Sequence, residues 1–229
     1  MSMNGRKHLR KIVRALSPRE LAKHVSGSKL YRKIAQEYDL VYFGAVSSQD
    51  DEHELVRGLT VSAQHNDRHY CVGTVEGYDV VLLERTDHLR FPGTPGEYYR
   101  WTIVQVDLDN VRLPHVFLDN RSHSSAFYNI LFEKYTRLQP TGLNFFADHD
   151  PKFVDHFTVY TTPEDQAEMI QVLRSDITAT LAHHFTTFDF ELFDDRLIVY
   201  AANKNASKQL IDHMLRAGVW MAREIESAR

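Results

Sequence analysis

The sequence predicts an α+β protein, a mainly antiparallel sheet covered by helices on one face and preceded by a basic helical arm. Three observations carry that prediction. Short apolar or alternating runs bounded by turn residues fill the middle of the chain from about residue 39, which is the pattern of a strand meander. Helical spacing of apolar residues marks both ends and part of the C-terminal third. The first 34 residues hold ten Lys/Arg against one acid, a local charge of +9 on a chain whose net charge is −4, so the rest of the chain sums to −13. At 229 residues, 43% hydrophobic and 11% aromatic, the chain can bury a sizeable core. We divide it into an arm over 1–38 and one domain over 39–229.

In the arm, Leu9, Ile12, Val13 and Leu16 lie on one helical stripe, and Arg6, Lys7, Arg10, Lys11 and Arg14 occupy the other face. Ser17-Pro18-Arg19-Glu20 is a capping box with proline at the first helical position, so a second helical piece starts there. Ser26-Gly27-Ser28 weakens it before Leu30, Tyr31 and Ile34 resume the pattern. Strands follow at 39–46, 55–63 and 69–75, and Glu76-Gly77 turns the chain into 78–85. The dense Pro/Gly segment Phe91 to Gly96 is a loop leading into a strand over 98–107, with another at 113–118. Residues 122–135 read as a helix with Phe127, Ile130 and Leu131 turned inward.

In the last third, 153–161 reads as a strand, and Thr162-Pro163-Glu164-Asp165 resembles a capping box with Asp in place of Glu. Ile170, Leu173, Ile177 and Leu181 space out one long helix. Phe188, Phe190 and Leu192 alternate with polar neighbours up to Asp194-Asp195, and Leu197, Val199 and Ala201 alternate back, which predicts a hairpin with the two carboxylates in its turn. Leu210, Ile211, Met214, Leu215, Met221 and Ile225 mark a closing amphipathic helix.

The run Pro151-Lys152-Phe153, then His156 to Thr161 and Pro163, then a helix and Phe188 to Leu197, resembles the C-terminal pattern of an uncharacterised bacterial domain family known by a domain-of-unknown-function label. Arg57-Gly58-Leu59, Gly73, Gly77, Trp101 and Leu113-Pro114-His115 fit its strand-rich first half, so the resemblance spans roughly residues 40 to 202. Many of its members carry hydrophobic membrane segments ahead of this region, where this chain has the basic arm. The resemblance implies a fold and supplies no activity or residue role.

Candidate chemistry is sparse. Asp148-His149-Asp150 with Asp155-His156 is the densest set of metal-capable side chains, but neighbouring positions point apart and Asp150-Pro151 is a turn signature. His183-His184 closes a helix, where a cation complements the dipole. Cys71, the single cysteine, sits inside a strand and reads as a small hydrophobe, which also excludes an internal disulfide. Neither GxGxxG nor GxxxxGK[ST] occurs. Asp50-Asp51-Glu52 reads as a loop, and Tyr98, Tyr99 and Trp101 read as core rather than a base-stacking surface. No apolar h-region starts the chain, and its apolar runs, such as Val80 to Leu83, fall far short of the roughly 20 residues a span needs, so a cytoplasmic location is expected.

The functional expectation is therefore a non-enzymatic cytoplasmic binding or scaffold protein without cofactor or metal. Its basic residues Arg6, Lys7, Arg10, Lys11 and Arg14 would contact an anionic membrane surface or protein partner, with nucleic acid less favoured. The alternative, from another class, is a metal-dependent hydrolase using the Asp148 to His156 region.

Overall fold

In the computed structural model, the described residues are 29–44, 56, 58, 65–89, 97–109, 111–121, 137–202 and 204–228. Helix α1 (Lys29–Glu37) precedes a meander of β1 (Val41–Tyr42), β2 (Asn66–Val75), β3 (Tyr78–Leu89) and β4 (Glu97–Asp107). Then come β5 (Leu113–Asn120), β6 (Gln139–Pro140), a short 3-10 turn (Leu143–Phe146), α2 (Pro151–His156) and β7 (Phe157–Thr161). Helices α3 (Gln166–Val172) and α4 (Ser175–His184) lead to the hairpin β8 (Asp189–Asp194) and β9 (Arg196–Ala202), and α5 (Lys208–Ser227) closes the chain. The strands form one sheet in the order β1-β2-β3-β4-β9-β8-β5-β7-β6, with antiparallel pairing throughout. An α+β architecture with a large antiparallel sheet is thus established.

The joint of the sheet is β4 against β9, paired from Trp101↔Ala202 to Asp107↔Arg196. It brings the N-terminal meander and the C-terminal half together across about a hundred residues of sequence. On the first face, Val80, Leu82, Val104, Val106, Leu197, Val199, Phe190 and Leu192 meet buried side chains from all five helices. Helix α5 lies on the joint at Gly218, where a Cβ would come within 2.9 Å of the Val106 Cγ2 and 3.5 Å of the Val199 Cγ2. Glycine is needed there for close approach, not for an unusual backbone angle.

Local chemistry explains most element boundaries. Glu76 (φ 50) and Gly77 (φ 95) take the two left-handed positions of a tight hairpin, and Asp194 (φ 57) takes one in the β8–β9 turn, where the sequence places it. The Ser207 hydroxyl accepts the Leu210 amide at 3.1 Å and so caps α5. Asp150 caps α2 by accepting the Lys152 amide at 2.9 Å, with Pro151 as the first helical residue. That cap accounts for the first correction. The expected strand over 153–161 is a helix up to His156 and a strand only from Phe157.

The expected single helix through Ile170, Leu173, Ile177 and Leu181 is two helices. Leu173 (ψ 60) and Arg174 (ψ 160) leave helical geometry, and the break leaves Ile170 exposed while Leu173, Ile177 and Leu181 stay buried. Arg174 stabilises the new start by donating to both Asp176 carboxylate oxygens, at 3.1 and 3.0 Å. Apolar spacing persists across such a break, so periodicity alone does not reveal it.

The last part of the segment assigned to the arm belongs to the body. Tyr31, Ile34 and Ala35 of α1 join the first-face core, and Tyr38 donates to Asp212 of α5 at 3.0 Å. Lys208 bridges Glu37 at 2.8 Å and Asp212 at 2.6 Å. Residues 1–28, the strand expected at 55–63 apart from Val56 and Gly58, and the helix expected at 122–135 lie outside the described residues.

Phe190 is fully buried and packs against Phe157 with ring centroids 6.4 Å apart, so Phe190→Ala costs about 3–5 kcal/mol in chemical denaturation. A loss below about 1 kcal/mol would contradict this packing. Gly218→Leu, which drives a side chain into Val106 and Val199, lowers the urea midpoint by about 1–3 kcal/mol of stability or more. A Gly218→Leu variant as stable as the parent would mean that α5 does not lie on the joint.

Candidate functional site

A one-sided antiparallel sheet turns its polar alternates to water. Here the second face is buried as well. Tyr70, Val72, Val81, Leu83, Trp101, Ile103, Phe117, Tyr160, Ile198 and Tyr200 form a second apolar cluster with Val56 and Leu138. Within it lie Asp67, Arg85, Asp119, Asp189 and Glu191, each no more than 2% exposed. These charges form a polar strip that runs across the sheet from β2 to β5.

Two β-bulges place residues of the strip. In β2 the register shifts between Arg68 and Cys71, with His69 at φ 61 as the extra residue. Strand residues three apart normally point to opposite faces, but the bulge turns Asp67 and Tyr70 the same way, and the Tyr70 hydroxyl donates to Asp67 Oδ2 at 2.9 Å. Arg85, opposite on β3, donates from Nε to Asp67 Oδ1 at 2.8 Å and from Nη2 to Oδ2 at 2.7 Å. Its Nη2 also donates to the Val56 carbonyl at 2.9 Å, so Val56 is tied to the sheet by the same guanidinium.

The second bulge, between Leu113 and Val116 of β5, places His115 beside Glu191 of β8. His115 Nε2 and Glu191 Oε1 are 2.9 Å apart, and the Tyr200 hydroxyl donates to Glu191 Oε2 at 2.5 Å. His115 is held further by its amide to Asp165, by the Thr161 hydroxyl donating to its carbonyl, and by the Phe193 ring 4.7 Å away. Its side chain is 18% exposed, so water reaches the strip there. A Cβ on Gly58 would collide with the Tyr200 hydroxyl and lie 2.7 Å from Glu191 Oε2. Only glycine fits there.

Beyond Glu191 the strip ends in Asp189 of β8 and Asp119 of β5. The Asp189 carboxylate accepts the Asn120 amide at 2.8 Å. Burial, with Asp189 alongside, pushes the Asp119 carboxyl up to about 8. Chemically, a carboxylate that orients a partly exposed histidine is suited to proton exchange or to polar recognition at the His115 end.

The sites suggested by the sequence fall elsewhere. Asp150 caps α2 and accepts from or pairs with His183 at 2.8 Å, and His149 Nδ1 lies 2.8 Å from the Thr178 hydroxyl. Asp155 and His156 are exposed near the end of α2, and among the described residues no three His, Cys, Asp or Glu side chains converge as metal ligands. Cys71 is buried on the first face and burial pushes its thiol up to about 12, which leaves it inert. Trp101 is core, whereas Tyr98 is exposed and stacks on His88 at 4.4 Å. The anion-contacting candidates Arg6, Lys7, Arg10, Lys11 and Arg14, and the acids at 50–52, lie outside the described residues.

The strip itself is invisible to a reading that sends polar alternates outward. Its one local signal is Pro114 inside a strand, which marks the β5 bulge. Among the described residues no helix is long and apolar enough to cross a membrane.

Among the described residues, fold and site together define an α+β protein with a large antiparallel sheet, helices on one face and a buried polar strip on the other. No family model and no curated protein matches the chain. Its fold is similar to that in the crystal structure of the mycobacterial trehalose monomycolate transport factor A, TtfA, with a TM-score of 0.57 at 11% sequence identity. The match covers 87% of this chain and 92% of that one. At that identity the likeness is one of fold.

The Asp67–Arg85 pair gives a direct test of the strip. Asp67→Ala strands a buried guanidinium and costs about 3–5 kcal/mol, whereas the double variant Asp67→Leu with Arg85→Met recovers much of that loss. Urea denaturation of the single and double variants checks it, and equal losses in both would show that the charges are not coupled.

Proposed function

We propose that the protein is a non-enzymatic binding or scaffold protein of the cytoplasm, whose basic N-terminal segment docks on an anionic membrane surface. The observation that carries this reading is the charge split, +9 on the first 34 residues against −13 on the remainder. A segment of that kind is drawn to acidic lipid while the acidic body is held off it. Leu9, Ile12, Val13 and Leu16 provide a narrow apolar stripe for shallow insertion. Two further features support the reading. The fold resembles that of a protein named for transport rather than for a reaction. The Asp67–Arg85 and His115–Glu191 pairs, with Tyr200, are engaged within the sheet, which suits a rigid body that carries a docking segment.

The test is co-sedimentation of the full chain with vesicles of phosphatidylcholine alone and of phosphatidylcholine with phosphatidylglycerol. The protein binds the anionic vesicles at low salt and is released as salt rises. Replacing Arg6, Lys7, Arg10, Lys11 and Arg14 with Ser weakens binding at least about tenfold, given about 1 kcal/mol per basic residue near the surface. Leu9→Ser with Ile12→Ser weakens it as well. Undiminished binding by the charge variant would overturn the proposal, and binding that ignores the Leu9/Ile12 change while a short DNA duplex competes would transfer the role to nucleic acid.

A further inference from the structure

Asp87 stands apart from the pairings of the strip. It lies two residues beyond Arg85 on β3, and the β3–β4 register sets it directly opposite Tyr99, as Arg85 is set opposite Trp101. Residues two apart on a strand share a face, and cross-strand partners have Cβ atoms about 5 Å apart. These side chains therefore form one block on the second face. Within it the rings of Tyr99 and Trp101 are stacked, with centroids 5.5 Å apart and planes 13° apart.

Asp87 is 2% exposed, and neither of its carboxylate oxygens has a hydrogen-bond partner among the described residues. Arg85 donates elsewhere, from Nε and Nη2 to Asp67 and from Nη2 to the Val56 carbonyl. A buried carboxylate with both oxygens unmet is costly, and such groups are normally engaged by a donor. The block lies near the ends of both strands, where Tyr99 is half-buried and so touches water.

The chemistry of the block selects what meets Asp87. A calcium ion takes about six to eight oxygen ligands. Here Asp67 is already held by Arg85, and among the described residues no three His, Cys, Asp or Glu side chains converge as metal ligands. A cation with N–H donors fits better, because it satisfies the two carboxylate oxygens with hydrogen bonds and rests its charge against aromatic rings. We propose that Asp87, with Tyr99 and Trp101, binds a small organic cation carrying N–H donors, an alkylammonium or guanidinium group. Asp87 supplies the countercharge and both acceptors, and the two rings supply an aromatic flank. The site belongs to the sheet and does not rest on the membrane-docking reading, so either stands if the other fails.

The experiment adds ethylammonium or ethylguanidinium chloride, to about 10 mM, to the full chain and follows the melting temperature. Tetramethylammonium and sodium chloride at equal ionic strength are the controls. Emission is read in a Trp220→Phe background, which leaves Trp101 as the only tryptophan. Either organic cation raises the melting temperature and shifts the Trp101 emission, and tetramethylammonium, which has the charge without N–H donors, acts at least about tenfold more weakly. Asp87→Asn, which keeps the shape without the charge, loses both responses. In buffer alone this variant melts no lower than the parent, because it gives up no hydrogen bond within the fold. The site is overturned by an absence of response to both organic cations, by equal responses in parent and Asp87→Asn, or by equal responses to sodium. A variant that melts distinctly below the parent in buffer alone overturns it too, since the carboxylate would then be partnered within the fold. Equal action by tetramethylammonium would overturn the requirement for N–H donors, and stabilisation by calcium or magnesium alone would overturn the proposal in favour of an inorganic cation.

Discussion

Charge buried on the second face of the sheet has to be balanced within that face. Away from the His115 end these charges are buried, and an uncompensated ion there costs on the order of several kcal/mol. Asp67 is met by Arg85 and Tyr70, and Glu191 by Tyr200 and His115. The demand shapes the backbone as well as the side chains. Both bulges lie where an acid needs a partner that regular alternation would have turned to the other face, and Gly58 gives up its side chain so that the chain can pass over Tyr200. The Arg85 bond to the Val56 carbonyl extends the same balance to Val56, whose place in the second-face cluster is thereby tied to the ion pair.

The first face follows the opposite logic. It is apolar, so its helices are held by volume and close approach rather than by directional bonds. Helix α5 supplies the largest share, with Ile211, Met214, Leu215, Met221, Ala222 and Ile225 buried along one stripe. It lies across the β4–β9 joint, the pairing that closes the sheet from two distant parts of the chain. Such non-local pairing carries a loop-closure cost before it is rewarded, and a helix that clamps both strands at once offsets it. At the far edge of the sheet, α1 performs the same role for β2, with Tyr31 stacked on the bulge residue His69 at 4.7 Å. One bulge thereby serves both faces, exposing His69 to the helix and Tyr70 to the ion pair.

These two layers make a body whose interactions are mostly internal, and the likeness of fold to TtfA extends over nearly the whole of both chains. A like sheet architecture at 11% identity asks for no more than a common packing pattern, since apolar alternation can be met by many sequences. Recognition, by contrast, depends on particular charges in particular places. In this chain the most concentrated charge lies in the N-terminal segment, and the His115 end is where the polar strip meets water.

By itself the sequence determined the α+β class, the β2–β3 and β8–β9 hairpins, the turn role of Asp194, and the closing helix with its buried stripe, because each is written in neighbouring residues: alternation, left-handed turn positions and 3.6-residue spacing. The inert burial of Cys71 was legible for the same reason. Only the tertiary structure decided the order of the strands, the break at Leu173, the membership of α1 in the core and the existence of the polar strip. Asp119, Asp189 and Glu191 alternate with apolar residues as solvent-facing acids do, and nothing local distinguishes the two cases. Whether such an acid meets water or another side chain depends on what covers the second face and on where the bulges fall, and both are set by contacts between residues far apart in the chain.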